Sequence, residues 1–172
     1  MWWLKCMGSL LIMGGCGYIG WNQSFLLRKR IRLLKEMIDS LLVFKSLTGT
    51  YKLPLNVVFY RISQRSMGPI SRFYGHLAEN FNRMESPEGE LLWQQTVEEE
   101  KDLFKAGDRE LIKGLGNFIG ISDSSIQKTA VDDCIQAIRE RVHGLEAEQP
   151  AKEKLYRVLA LTAGGFLVIL LF

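Results

Sequence analysis

Residues 158–172 read VLALTAGGFLVILLF, fifteen residues without a charged side chain. Within them Leu167-Val168-Ile169-Leu170-Leu171-Phe172 leaves a helix no polar face. A second uncharged and largely apolar stretch covers residues 6–21. At a rise of ~1.5 Å per residue the tail from Leu155 covers ~27 Å and Cys6 to Trp21 covers ~24 Å, against a hydrocarbon core of ~30 Å. Lys5 and Arg157 can bend their stems toward headgroups, and Trp2, Trp3, Trp21 and Tyr156 suit the wet interface preferred by amphipathic rings. The expectation is a transmembrane helix at residues 1–23, a helical domain at 24–152 and a second transmembrane helix at 153–172.

Charge sets the expected orientation. Arg28, Lys29, Arg30 and Arg32 follow the first apolar stretch, and Lys152, Lys154 and Arg157 precede the second. Basic residues at both junctions place the middle domain in the cytoplasm, where each is attracted to anionic lipid by ~1 kcal/mol. A rival reading is a lipoprotein, with Met13-Gly14-Gly15-Cys16 as a loose cleavage box, Cys16 lipidated and the domain outside the cytoplasm. The basic cluster that follows opposes it. A net charge of +3 is too near neutral to argue for nucleic acid.

The middle of the chain reads as helices throughout. Leu27, Ile31, Leu34, Ile38 and Leu41 advance by four and three along a helix from Leu26 to Leu47, with no breaker between it and Trp21. Pro54 suits the first position of a helix to Gln64, and Gly68-Pro69 separates that from Ile70 to Met84. Ser86-Pro87 opens the next, to about Lys105, and Gly107-Asp108 is a stop and cap before a short helix, Arg109 to Ile119. After Ser122-Asp123 a last helix carries Ile126, Ala130, Cys134, Ile138, Val142 and Leu145 on one face, until Pro150 kinks or breaks it. The fold expected is all-α, an antiparallel bundle of about six helices flanked by the two membrane helices.

Equipment for catalysis is sparse. His76 and His143 stand apart on amphipathic helices, and Cys6, Cys16 and Cys134 form no CxxC pair, so neither a metal, a cofactor nor an enzyme is expected. The stretch Gly114-Leu115-Gly116-Asn117-Phe118-Ile119-Gly120 has spacing GxGxxxG with no Lys-Ser/Thr after it, which is wrong for a nucleotide loop. Gly116 is better explained by close helix packing and Gly120 by a left-handed cap. In the tail, Ala160, Gly164 and Gly165 offer a flat face to another membrane helix, within or between chains, which leaves a homo-oligomer open. Glu98, Glu99, Glu100 and Asp102 make an acidic run, a solvated helix face or a docking face for a basic partner.

The layout resembles the stage III sporulation protein AB family of endospore-forming bacteria. The resemblance is carried by Leu53-Pro54-Leu55, Gly89-Glu90-Leu91-Leu92-Trp93, Asp108, Leu115 to Gly120, Ser122-Asp123 with Gln127-Lys128, and Lys154 to Leu159 before the apolar tail. Ile119 and Ala160 depart from the family pattern without changing the physical role of their positions. The resemblance implies a domain similar to the cytoplasmic helical domains of the type II secretion platform. It also implies a place in the mother-cell membrane facing the forespore, as an adaptor between a secretion-type ATPase (similar to the stage III protein AA) and channel components. A passive scaffold without ATPase contact is the alternative.

Overall fold

The computed structural model describes residues 2–83, 88–121 and 124–171, and among them the chain is helical with no strand. Six α-helices and one 3-10 turn follow in order. They are α1 (Trp2–Gly49), α2 (Leu55–Arg65), α3 (Gly68–Arg83), α4 (Gly89–Glu99), α5 (Ala106–Gly114), the turn Leu115–Phe118, and α6 (Ser124–Leu171). Both α1 and α6 are 48 residues long. The helix expected from Leu26 thus begins far earlier, and Pro150 neither ends nor interrupts α6. A proline costs its own hydrogen bond and clashes with the carbonyl one turn back, yet the helical backbone passes through it.

The chain divides into two compact units, Met1–Ile31 with His143–Phe172, and Arg32–Val142. In the first, the backbone is helical, and Phe25, Leu26, Leu155 and Val158 are exposed apolar side chains on α1 and α6. Among the described residues no helix is long and apolar enough to cross a membrane. The side chains of the first expected span, and those of the second apart from Lys154, Leu155, Val158 and Thr162, lie outside that set, Gly164 and Gly165 included.

The second unit holds the core. Its α1 and α6 segments are antiparallel: Lys45 bonds both carboxylate oxygens of Asp132, and one turn further on a Cβ added to Gly49 would stand 3.8 Å from Lys128 Cε. Its share of the stripe along α1 is buried at Leu34, Ile38 and Leu41, and along α6 at Cys134, Ile138 and Val142; Ile31 and Leu145, buried too, fall in the first unit. Ile126 of the expected α6 face is exposed instead. Between these helices and α2 to α5 lies an aromatic cluster. Phe59 stacks on Phe44 at 5.8 Å and meets Phe81 at 5.2 Å, while Phe73 packs edge-on against Trp93 at 5.4 Å and Phe104 at 6.1 Å. Such offset and edge-to-face pairs match ring quadrupoles and add ~0.5–1.5 kcal/mol each beyond burial.

Most polar side chains buried in this core find partners, Arg109 Nε being buried without one. The Trp93 indole N–H donates to the Ile112 carbonyl at 2.8 Å, in the last turn of α5, a carbonyl that also accepts from the Leu115 N–H at the cap. The Ser40 hydroxyl stands 2.7 Å from the Met37 carbonyl and 3.0 Å from the Tyr74 hydroxyl and can donate to either. Burial holds the Tyr74 phenol far above its ordinary value, despite the bond to Ser40.

Local boundaries differ from the expected ones for identifiable reasons. Pro54 is the N-cap of α2 and not its first residue: its carbonyl accepts from Val58 N–H at 3.0 Å. The α3 helix begins at Gly68, whose φ of +57° lies in the left-handed region that favours glycine. The α4 helix stops at Glu99, six residues before the expected end, because Phe104 must turn inward to reach Phe73. Asp108 lies inside the first turn of α5, buried, 3.4 Å from Arg141 Nε. The expected caps Ser86-Pro87 and Ser122-Asp123, and Met84, lie outside the described residues.

Candidate functional site

The acidic run sits at the C-terminal end of α4 and in the turn after it. Carboxylates there face the negative end of the helix dipole, and neighbouring elements supply partners. Lys113 of α5 bonds Glu98 at 2.7 Å, the His76 ring of α3 stands 3.1 Å from Glu100, and Gln95 donates to Glu99 at 3.1 Å. The bond from Lys113, and then its charge, hold the Glu98 carboxyl below the usual range, and Glu98 in return raises the Lys113 ammonium. Asp102 is exposed in the turn. The four residues read together in sequence are thus spread between three internal contacts and solvent.

The glycines form a seam between α4 and the 3-10 turn. A Cβ on Gly116 would stand 2.8 Å from Trp93 Cδ1 and 3.4 Å from the Glu90 carbonyl. Gly120 has φ of +90°, two residues after the turn ends, and a Cβ added there would stand 3.8 Å from Leu55 Cδ1 and from Gly89 Cα. Gly89 is the tightest position, since a Cβ there would fall 2.6 Å from the Ile119 carbonyl oxygen. The sequence reading did not single it out; a glycine at the first residue of a helix looks like punctuation until the partner backbone is in place.

Where α2 begins, α4 begins and the 3-10 turn ends, the surface opens into a cleft of about 670 Å³. Leu55, Phe81, Ile119 and Ile121 line it, with Glu88 and Glu90 exposed beside them. Asn56 closes one side by donating to Asn82 at 2.9 Å. On the other, Gln94 donates to both Glu90 and Asn117 at 3.0 Å. Buried Gln127 of α6 ties the turn down through the Phe118 carbonyl at 3.3 Å. Three stretches distant in sequence, 54–56, 88–90 and 117–121, thereby meet at one place. Nothing in the spacing of charges or apolar residues brought Glu88 and Glu90 together with Leu55.

Of the flanking basic residues, Arg28, Lys29, Arg32 and Lys154 are exposed and Arg30 is half-buried; the side chains of Lys152 and Arg157 lie outside the described set. Cys134 is buried, and desolvation pushes its thiol up to about 12. Among the described residues no group of three or more His, Cys, Asp or Glu could hold a metal ion.

Comparison with known proteins gives a consistent set. The sequence profile of the family described as stage III sporulation protein AB matches residues 5–172. A curated relative, stage III sporulation protein AB of Bacillus subtilis (strain 168), is 21% identical over 170 residues, covering 98% of this chain and 99% of the relative. A solved structure of a stage III sporulation protein AB superposes with a TM-score of 0.66 at 17% identity, over 72% of this chain and 98% of that one. At that identity the structural likeness speaks for the all-helical fold alone.

Proposed function

Because this chain belongs to the stage III sporulation protein AB family, we propose that its role in sporulation is that of a non-enzymatic platform in the mother-cell membrane facing the forespore. Its helical domain lies in the cytoplasm and couples an ATPase to membrane channel components after engulfment. The observation that supports this reading is the continuity of α1 and α6. Each is a single helix that begins or ends in an apolar segment and contributes its other half to the bundle core. An unbroken helical backbone is the connection through which such coupling would pass.

The experiment is co-purification from sporulating cells. The full-length chain, extracted in detergent, is expected to bring down the complex's ATPase together with channel components. Recovery of the channel components without the ATPase would leave a passive scaffold in place of an adaptor. Recovery of the chain in the soluble fraction without detergent would remove the membrane reading itself.

A further inference from the structure

We propose that the groove between α1 and the end of α2 is a surface through which two copies of this chain associate, each presenting the same face to the other. The groove encloses about 520 Å³, and all the residues that line it belong to the unit Arg32–Val142. One wall is α1, with Glu36, Asp39 and Leu42; the other is the end of α2 and the residue before α3, with Ile62, Arg65 and Met67. Glu36 and Asp39 are three positions apart, which puts their carboxylates on one face of the helix. Among the described residues neither they nor Arg65 form an ion pair or a side-chain hydrogen bond, although opposite charges share the groove. Beside them Met67 is 81% exposed, more than any other large apolar side chain among the described residues, and Leu42 is 42% exposed. The groove thus combines unspent charge of both signs with an apolar knob and an apolar recess.

The mixture of signs selects the occupant. A basic peptide is repelled by Arg65, and an acidic peptide or an anionic lipid headgroup by the two carboxylates, so a partner of single sign fails at one wall. A purely apolar partner would strip water from three charges and pair none of them. What fits is a face that carries cation and carboxylates in exchanged places, together with a projecting apolar side chain. Rotated by half a turn, the groove is itself such a face. In a two-fold pair the same patch serves both sides, so Arg65 of each copy meets Glu36 and Asp39 of the other, and Met67 of each enters beside Leu42 and Ile62 of the other. The five N–H donors of a guanidinium, set in a fork, let one arginine span two carboxylates, and an unbranched methionine adapts to an irregular apolar recess. A face of this size gives a reversible association, which crosslinking captures better than sizing does. The inference goes beyond the platform reading and needs neither the membrane nor the ATPase.

The test is site-specific photocrosslinking of the full-length chain in sporulating cells, with two differently tagged copies expressed together. The probe, p-benzoylphenylalanine, is placed at Met67 or at Leu42, and at exposed Leu91 of α4 as the control. The expected product carries both tags, forms from Met67 and from Leu42 but not from Leu91, and joins Met67 to α1 between Glu36 and Val43, and Leu42 to residues 62–67. Its yield falls about ten-fold or more with Arg65→Glu in both copies, and likewise with Glu36→Arg and Asp39→Arg in both. The decisive arm is the mixture: one copy with Arg65→Glu and the other with Glu36→Arg and Asp39→Arg restores opposite charges at both contacts, so the two-tag product returns. Asp39 and Arg65 are exposed and Glu36 is half-buried, so these changes spare the core. If a reversal nevertheless lowers the amount of protein, Arg65→Gln against Glu36→Gln with Asp39→Asn supplies a comparison without repulsion, in which the yield is again expected to fall. Absence of a two-tag product, capture of lipid or of a different protein in its place, a yield indifferent to the charge variants, or a mixture that stays as low as the reversed pairs would each overturn the proposal. Co-purification of the ATPase is a separate readout, so failure of the platform reading leaves this result intact and the reverse holds too.

Discussion

Gly116 and Gly144 show how differently two glycines of the same chain respond to a side chain. At Gly116 the added Cβ would lie 2.8 Å from the edge of Trp93, a fully buried ring held by its own hydrogen bond to Ile112. Trp93 cannot yield without breaking that bond, so Gly116→Leu is expected to lower unfolding free energy in urea by about 1–3 kcal/mol or more. An unchanged denaturation midpoint would contradict the packing seen here. Gly144 is exposed inside α6, and nothing lies within 4 Å of its would-be Cβ. Gly144→Ala should therefore raise stability by about 0.5–1 kcal/mol through backbone entropy. Cys134 yields a third residue-level outcome. With its thiol pushed up to about 12 and its side chain packed in α6's buried face, the thiolate is scarce at neutral pH. Maleimide should label it only after denaturation, and rapid labelling of the native chain would contradict its burial. Cys134 is consequently a poor reporter of which side of a membrane the domain occupies, and a cysteine at exposed Asp133 serves better.

At the scale of elements, the contact between α4 and α5 is electrostatic at its edge, and its pH dependence follows from the shifts. Glu98 is held below the ordinary carboxylate range, so its contribution is present at neutral pH and is lost as pH falls through its folded value. Lys113 is raised, so its share is lost as pH climbs through its own folded value. Between those limits Lys113→Met should melt below the parent, and below the ordinary carboxylate range, about pH 4, the two curves should converge. A constant offset down to strong acid would mean that the lysine acts through packing and not through charge. The same contact complicates reversal of Glu98, Glu99 and Glu100 to lysine as a probe of docking, since the Glu98 change alone breaks the tie to α5. Sequence reasoning could find the helices whose apolar stripe repeats along one face, as in α1 and α6, because periodicity is local. It overran α4 and began α5 too late, because what ends α4 is the burial of Phe104 against Phe73, a contact between distant residues. The acidic run looked unpartnered for the same reason, Lys113 and His76 being 15 and 24 positions from their glutamates. The cleft was illegible because no single stretch contains it.

For the whole molecule the decisive element is α6, which carries the buried stripe of the bundle in its first half and the apolar tail in its second, with Pro150 between them and helix on both sides. Helical backbone transmits axial and torsional displacement, whereas a glycine-serine linker behaves as a coil whose ends fluctuate independently. A platform driven by a cytoplasmic motor depends on the first property, and a tether that only keeps the domain near the membrane does not. Inserting a short glycine-serine segment at Pro150 removes the continuity while leaving the core residues Val131 to Leu145 in place. On the proposed platform reading the chain is then expected to accumulate at normal level, to remain in the membrane fraction and to retain the proposed ATPase partner, yet to give few heat-resistant spores. Spore yield equal to the parent's, with the linker present and the protein folded, would show that attachment alone suffices and would reduce the adaptor to a scaffold. Loss of the protein from the membrane fraction would instead trace the defect to the anchor, so protein level, fractionation and spore count have to be read on the same culture.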